Sequence, residues 1–175
     1  MKTTFSITPI EEQDITGIVK VVNEAYQGEP GTRSWTSEGH LVQGSRTTAA
    51  NVLHLFHQAD TAIFKCTDDT GEILGCVVLE RKPDTLYLGM LSVSPRTQAS
   101  GIGSLLIEYG ELYARTHNLS SVTITVIDRR KELIEWYQRK GFKLTGKQIP
   151  FSNQSSSSDL VLHLVELRKE LPATR

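Results

Sequence analysis

Cysteine is scarce in this chain of 175 residues: there are two, Cys66 and Cys76. They are too few for a disulfide scaffold and wrongly spaced for a zinc site. Long apolar runs are missing as well, and none approaches the roughly 20 residues a membrane helix needs. Neither sign of charge is in excess, since 19 Lys and Arg face 20 Asp and Glu. No global pull toward nucleic acid or an anionic membrane is therefore expected. The first ten residues, Met1 to Ile10, carry one lysine and no apolar stretch, unlike a secretory signal. What is present is a globular balance of 38% hydrophobic and 22% charged residues. It excludes collagen-like, coiled-coil and wholly disordered chains. The expectation is one soluble, cytoplasmic domain over residues 1–175, long enough for a sizeable core.

Hydrophobic spacing divides the chain into elements. Phe5 to Ile7 reads as a strand, and Thr8-Pro9-Ile10-Glu11 has the form of a capping box. Ile15, Ile18, Val19, Val22, Ala25 and Tyr26 recur at helical spacing, and Gln27 to Ser34 is turn chemistry. Thr36 can cap a short turn, and Thr47 or Thr48 caps a helix carrying Ala49, Val52, Leu53 and Phe56. Thr61–Thr67 and Glu72–Glu80 form β-rich runs joined by the hairpin signal Asp68-Asp69-Thr70-Gly71. Leu86–Val93 is nearly all apolar, as a strand buried on both faces should be. Gly101–His117 is the strongest helix, its stripe read as Ile102, Leu105, Leu106, Tyr109, Leu112 and Tyr113. A strand at Val122–Ile127, a helix at Arg130–Lys140 stopped by Gly141, and strands at Phe142–Thr145 and Leu160–Leu167 complete the order. This is one α/β domain on a mixed sheet. Cys66 and Cys76 flank the hairpin, are expected to be buried free thiols, and may face each other.

The stretch Leu86 to Leu106 (LYLGMLSVSPRTQASGIGSLL) is the informative one. A buried strand ends at Pro95, and Gly101 and Gly103 open an amphipathic helix where backbone can approach a ligand closely. Successive N–H groups at the positive end of a helix dipole suit a phosphate or pyrophosphate. The same glycines also suit a plain strand-to-helix turn. A Rossmann site lacks its third glycine here, and a P-loop lacks its Gly-Lys-Ser/Thr ending.

Gln98-Ala99-Ser100-Gly101-Ile102-Gly103 resembles the Q/R-x-x-G-x-G/A loop of the GNAT superfamily, the acyl-CoA-dependent N-acyltransferases. Tyr137-Gln138-Arg139-Lys140-Gly141-Phe142 resembles that family's second signature, Y-x-x-x-G-F, and the element order agrees over almost the whole chain. The resemblance implies a mixed, mostly antiparallel sheet of about seven strands, splayed between the fourth and fifth and flanked by about four helices. It implies acetyl-CoA as acyl donor, with no metal required. Amides of Gln98, Ala99, Ser100, Gly101, Ile102, Gly103 and Ser104 would wrap the pyrophosphate. Main-chain groups of Leu91, Ser92 and Val93 would hold the pantetheine arm, and Tyr137 would protonate the departing thiolate.

Two departures from the family pattern stand out. The strand at Leu86–Val93 carries no carboxylate, and Tyr87 stands near the family's usual glutamate position. Glu38 is the preferred candidate base, with Glu80 second; Glu38 reads equally as a first-turn glutamate supporting a helix. Seven residues before Tyr137, where the family often has asparagine, stands Arg130, a candidate cofactor contact; one of Arg129, Arg130, Lys131, Arg139, Lys140, Lys143 and Lys147 could meet the 3′-phosphate. Trp35, Glu38 and Arg46 fall in the region that shapes the acceptor pocket in the resembled family. Trp35 either walls the site or seals the core, and Arg46 either holds an acceptor anion or is a surface residue. His54 and His57 share a helix face without a third metal ligand.

The function so implied is transfer of an acetyl group from acetyl-CoA to a primary amine of a small molecule or peptide. A non-catalytic acyl-CoA-binding regulatory module is the alternative. No nucleic-acid or membrane partner is expected, and a homodimer is possible.

Overall fold

The computed structural model describes residues 2–27, 45–151 and 162–173. Seven strands form one sheet in the order β1-β2-β3-β4-β5-β7-β6. They are β1 (Ser6–Pro9), β2 (Thr61–Thr67), β3 (Ile73–Arg81), β4 (Leu86–Val93), β5 (Ser121–Ile127), β6 (Lys143–Pro150) and β7 (His163–Glu170). Every neighbouring pair is antiparallel except β4 and β5, which run parallel. Four α-helices accompany the sheet: α1 (Ile15–Gln27), α2 (Ala49–Phe56), α3 (Ile102–Thr116) and α4 (Lys131–Arg139). This is the expected α/β architecture.

The sheet separates two apolar clusters. Ile15, Ile18, Val21 and Val22 of α1 pack with Val52 of α2 against Ile63, Cys76 and Val78. Ile102, Leu106, Ile107 and Ala114 of α3 pack with Ile134 and Tyr137 of α4 against Phe64, Cys66, Val77, Leu79 and Leu88. The two thiols therefore do not face each other. Cys66 opposes Gly75 and Cys76 opposes Lys65 in the β2–β3 ladder, and strand alternation sends the sulfurs to opposite faces. Burial pushes the Cys66 thiol up to about 11 and the Cys76 thiol up to about 12.

Three local expectations need correction. The first helix does not start from Thr8: Pro9 is still paired with Phe64 in β1, and a 3₁₀ turn at Glu12–Asp14 leads into α1. There Asp14 accepts from the Glu11 N–H at 2.8 Å and from Lys65 Nζ at 2.7 Å. Secondly, β6 extends past the expected Thr145 to Pro150, and β7 runs past the expected Leu167 to Glu170; the expected start at Leu160 lies outside the described residues. Thirdly, α3 is rotated relative to the stripe read from its large residues. Leu105 and Leu112 are exposed, whereas Gly103, Leu106, Gly110 and Ala114 are buried. Gly103, Gly110 and Ala114 thus share the packed face with Ile102, Leu106 and Ile107, and a Cβ at Gly110 would come 3.0 Å from Leu88 Cδ1.

Two irregularities shape the centre of the sheet. Only Leu86 with Val122 and Tyr87 with Thr123 are paired between β4 and β5, and from there the strands part. The closed end is clipped by buried hydroxyls: Thr85 donates to the Ser121 carbonyl at 3.1 Å, and Ser121 Oγ donates to Thr85 at 2.8 Å. The second irregularity is a bulge in β4. Val78 opposes Gly89 while Cys76 opposes Ser92, so β4 spends one residue more than β3. Met90 takes a φ of 49° there, a left-handed conformation rare for a side-chain-bearing residue.

Candidate functional site

The parting of β4 and β5 opens a cleft of about 130 Å³ in the middle of the sheet. Leu88 to Leu91 line one wall and Ile124 to Ile127 the other, with Leu133 and Tyr137 of α4 and Tyr26 of α1 across them. A narrower chamber continues toward the start of α3, walled by Val93, Gly103 and Trp136. Tyr26, Leu91, Leu133 and Tyr137 border both spaces. A groove thus runs from the first turn of α3, past Tyr137, into the splay.

The α3 end is built by backbone. A 3₁₀ turn at Pro95–Ser100 carries the chain from β4 to Gly101, whose φ of 85° reverses it into the helix. A non-glycine residue would be strained at that angle. Gly103 lies so near Trp136 that a Cβ would be 3.4 Å from the indole. Ile102 points into the core at 0% exposure, so it offers the groove its main chain only. Gln98 and Ala99 fall within the turn, and the Ser100 hydroxyl donates to the Thr97 carbonyl. Lys140 Nζ donates to Ser104 Oγ at 2.5 Å and lies 5.5 Å from the Trp136 ring centroid. A cation therefore stands beside the helix N-terminus, where dipole and charge both favour an anion.

Tyr137 comes from the second motif. It is 6% exposed, and its ring meets Trp136 at 5.0 Å and Phe142 at 5.7 Å in T-shaped contacts. α4 is a short amphipathic helix that Gly141, with φ of 97°, ends. Leu91 sits on the bulged segment, and its carbonyl accepts from the Tyr26 hydroxyl at 3.3 Å. Val93 walls the narrower chamber. Ser92, between them, turns away and donates to the Met90 carbonyl at 3.0 Å.

Of the other predicted residues, Arg130 and Glu80 are not gathered here. Arg130 is 1% exposed and borders neither space. Its Nε donates to Glu132 at 2.8 Å, so its burial gives α4 a charged anchor rather than the groove an exposed cation. Glu80 is bound to Lys82 at 2.5 Å and does not line the cleft. Trp35 and Glu38 lie outside the described residues. Arg46 does border the cleft, its guanidinium 5.1 Å from the Tyr26 ring centroid. Sequence reasoning missed Tyr26 as a site residue, having counted it as a core position of α1. It also missed the bulge at Met90, which no residue type announces.

Residues 21–142 match the Acetyltransferase (GNAT) family. Solved structures agree with the fold over nearly full lengths. The ribosomal-protein-S18-alanine N-acetyltransferase of Escherichia coli is similar with a TM-score of 0.74 at 13% identity, covering 98% of this chain and 97% of its own. Ard1 from Thermoplasma volcanium gives 0.72 at 18%, over 97% and 99% of the two chains. An N-acetyltransferase from Staphylococcus aureus Mu50 gives 0.69 at 16%, over 95% and 98%. On its matched motifs and its splayed sheet, this chain belongs to the Acetyltransferase (GNAT) family.

Proposed function

We propose that the protein is an N-acetyltransferase that moves an acetyl group from acetyl-CoA to a primary amine, in the cytoplasm. The observation that carries this reading is the continuous groove: its α3 end offers backbone N–H groups and Lys140 to phosphates, and Tyr137 borders its middle. Gly101 and Gly103 suit a pyrophosphate at the first turn of α3, and the Leu91–Val93 backbone suits the amide-bearing pantetheine arm. Acetyl-CoA supplies a thioester whose carbonyl carbon is the electrophile.

The amine must arrive neutral. An alkylammonium near pKa 10.4 is only about one part in 10³ neutral at pH 7, a cost of roughly 4–5 kcal/mol. Glu38, directly or through water, is our candidate for taking that proton. The amine nitrogen then attacks the thioester carbon, a C–N bond forms as the C–S bond breaks, Tyr137 gives its hydroxyl proton to the sulfur, and the proton the nitrogen sheds on becoming an amide passes through water back to the tyrosinate. Holding both reactants in the groove supplies much of the acceleration.

Thermal unfolding with acetyl-CoA, CoA and NAD tests the first half. Ligand at 100 times its dissociation constant stabilises by about 2.7 kcal/mol, a shift of roughly 5–11 °C for a chain of this length. A shift with acetyl-CoA and CoA but not NAD supports the reading, and no shift overturns it. Thiol release with amines separates the enzyme from a non-catalytic acyl-CoA-binding module.

A further inference from the structure

Resting on that reading, we propose that Arg46 anchors a carboxylate on the acceptor, so that the acetylated amine belongs to an amino-acid-like compound and not to a polycation. Among the described residues that line the cleft, Arg46 is the one ionic side chain; the others are aliphatic, aromatic, glycine or hydroxyl-bearing. A cation at such a cleft attracts a negative charge and repels a further positive one.

Arg46 is also held ready. Its guanidinium carbon lies 5.1 Å from the Tyr26 ring centroid, a cation–π contact that favours one placement of the group and leaves its N–H groups to donate. The neighbouring backbone is pinned from both sides: the Thr47 N–H donates to Asn23 Oδ1 at 3.0 Å, and Asn23 Nδ2 donates to the Thr47 carbonyl at 3.1 Å. Tyr26 donates in turn to the Leu91 carbonyl at 3.3 Å. The anchor is therefore tied through one side chain to the β4 bulge beside Tyr137. A carboxylate matches the single charge and the planar fork of a guanidinium. A phosphate monoester, with about −1.5 to −2 at pH 7, would leave surplus charge that no second cation among the described lining residues balances.

The test uses the full chain, acetyl-CoA and thiol release. Free α- and ω-amino acids are compared with their amides, their decarboxylated amines, their aminophosphonate analogues and spermidine. The expected result is that one or more free acids are acetylated with kcat/KM about 10- to 100-fold above the matching amide and amine. Arg46→Ala should erase that preference through KM for the acid, while the thermal shift produced by acetyl-CoA persists and shows the variant folded. Arg46→Lys should restore part of it. Equal use of acid and amide, preference for spermidine or for the phosphonate, or an unchanged preference in Arg46→Ala overturns the proposal. An acetyl-CoA shift with no amino acid turned over overturns it too and leaves cofactor binding standing. Absence of that shift removes the underlying acetyltransferase reading instead.

Discussion

The phenolic oxygen of Tyr87 lies 2.7 Å from Oγ1 of Thr125, so one hydrogen bond joins β4 to β5 just past their last backbone pair. Both residues line the cleft, and their bond fixes where the strands begin to part. Tyr87→Phe and Thr125→Val should each cost about 1 kcal/mol, roughly 2–4 °C in Tm at this length. The double variant should lose less than the sum, because both changes remove the same bond. Melting curves of the four proteins check this; strict additivity would mean the bond contributes nothing.

Tyr137→Phe keeps the ring contacts with Trp136 and Phe142 and deletes only the hydroxyl. If that hydroxyl protonates the departing thiolate, kcat should fall about 10²- to 10⁴-fold. The acetyl-CoA thermal shift should stay within a degree or two of the parent. Steady-state kinetics beside a melt decides, and an undiminished kcat would remove the acid role from Tyr137.

Gly101 and Gly110 make opposite demands. Nothing lies within 4 Å of a Cβ added at Gly101, but its φ is +85°. Gly101→Ala should cost about 1–2 kcal/mol through backbone strain alone and shrink the shift given by acetyl-CoA. At Gly110 the φ is ordinary and the obstacle is Leu88 Cδ1 at 3.0 Å. Gly110→Ala sets a helix-propensity gain of about 1 kcal/mol against the crowding of Leu88, and should leave the ligand-induced shift intact whichever way Tm moves. Paired melts, with and without acetyl-CoA, distinguish a binding turn from a packing contact.

Burial opposes ionisation of Asp14, yet the Glu11 N–H and the Lys65 ammonium outweigh it and hold the carboxyl below its usual range. A depressed folded pKa stabilises the protein above the unfolded value near 3.9 and loses that contribution as pH falls through the folded value. Asp14→Asn should therefore destabilise by roughly 1–2 kcal/mol at pH 7, about 2–8 °C. The gap to the parent should close on acidification below pH 4. A gap that is constant from pH 7 to pH 3 would assign the effect to packing.

The fold was legible wherever periodicity and punctuation coincide. Asp68-Asp69-Thr70-Gly71 marks its hairpin, and the apolar Leu86–Val93 run marks a central strand. It was misread where size stood in for contact: Leu105 and Leu112 look like core but are exposed, while Gly103, Gly110 and Ala114 join Ile102, Leu106 and Ile107 on the packed face of α3. Around the groove, the positive-φ turn at Gly101 and the place of Tyr137 on α4 follow from local motifs. Tyr26 and Arg46 come together only through tertiary folding, the first on a helix face and the second after a loop. The bulge at Met90 is a property of strand pairing, which no single strand's sequence encodes.

The clip at Thr85 and Ser121 gives the sheet a mechanical character. Strands β1 to β4 form one leaf and β5 to β7 another, joined edge to edge at one end and diverging at the other. For such a pair of leaves the softest deformation is a rotation about the clip, which widens the gap without breaking either ladder. Amide hydrogen exchange should reflect this, with slow exchange within each leaf and faster exchange along the margins facing the gap. If compliance is concentrated at that seam, guests of different girth should be accommodated there with both ladders intact.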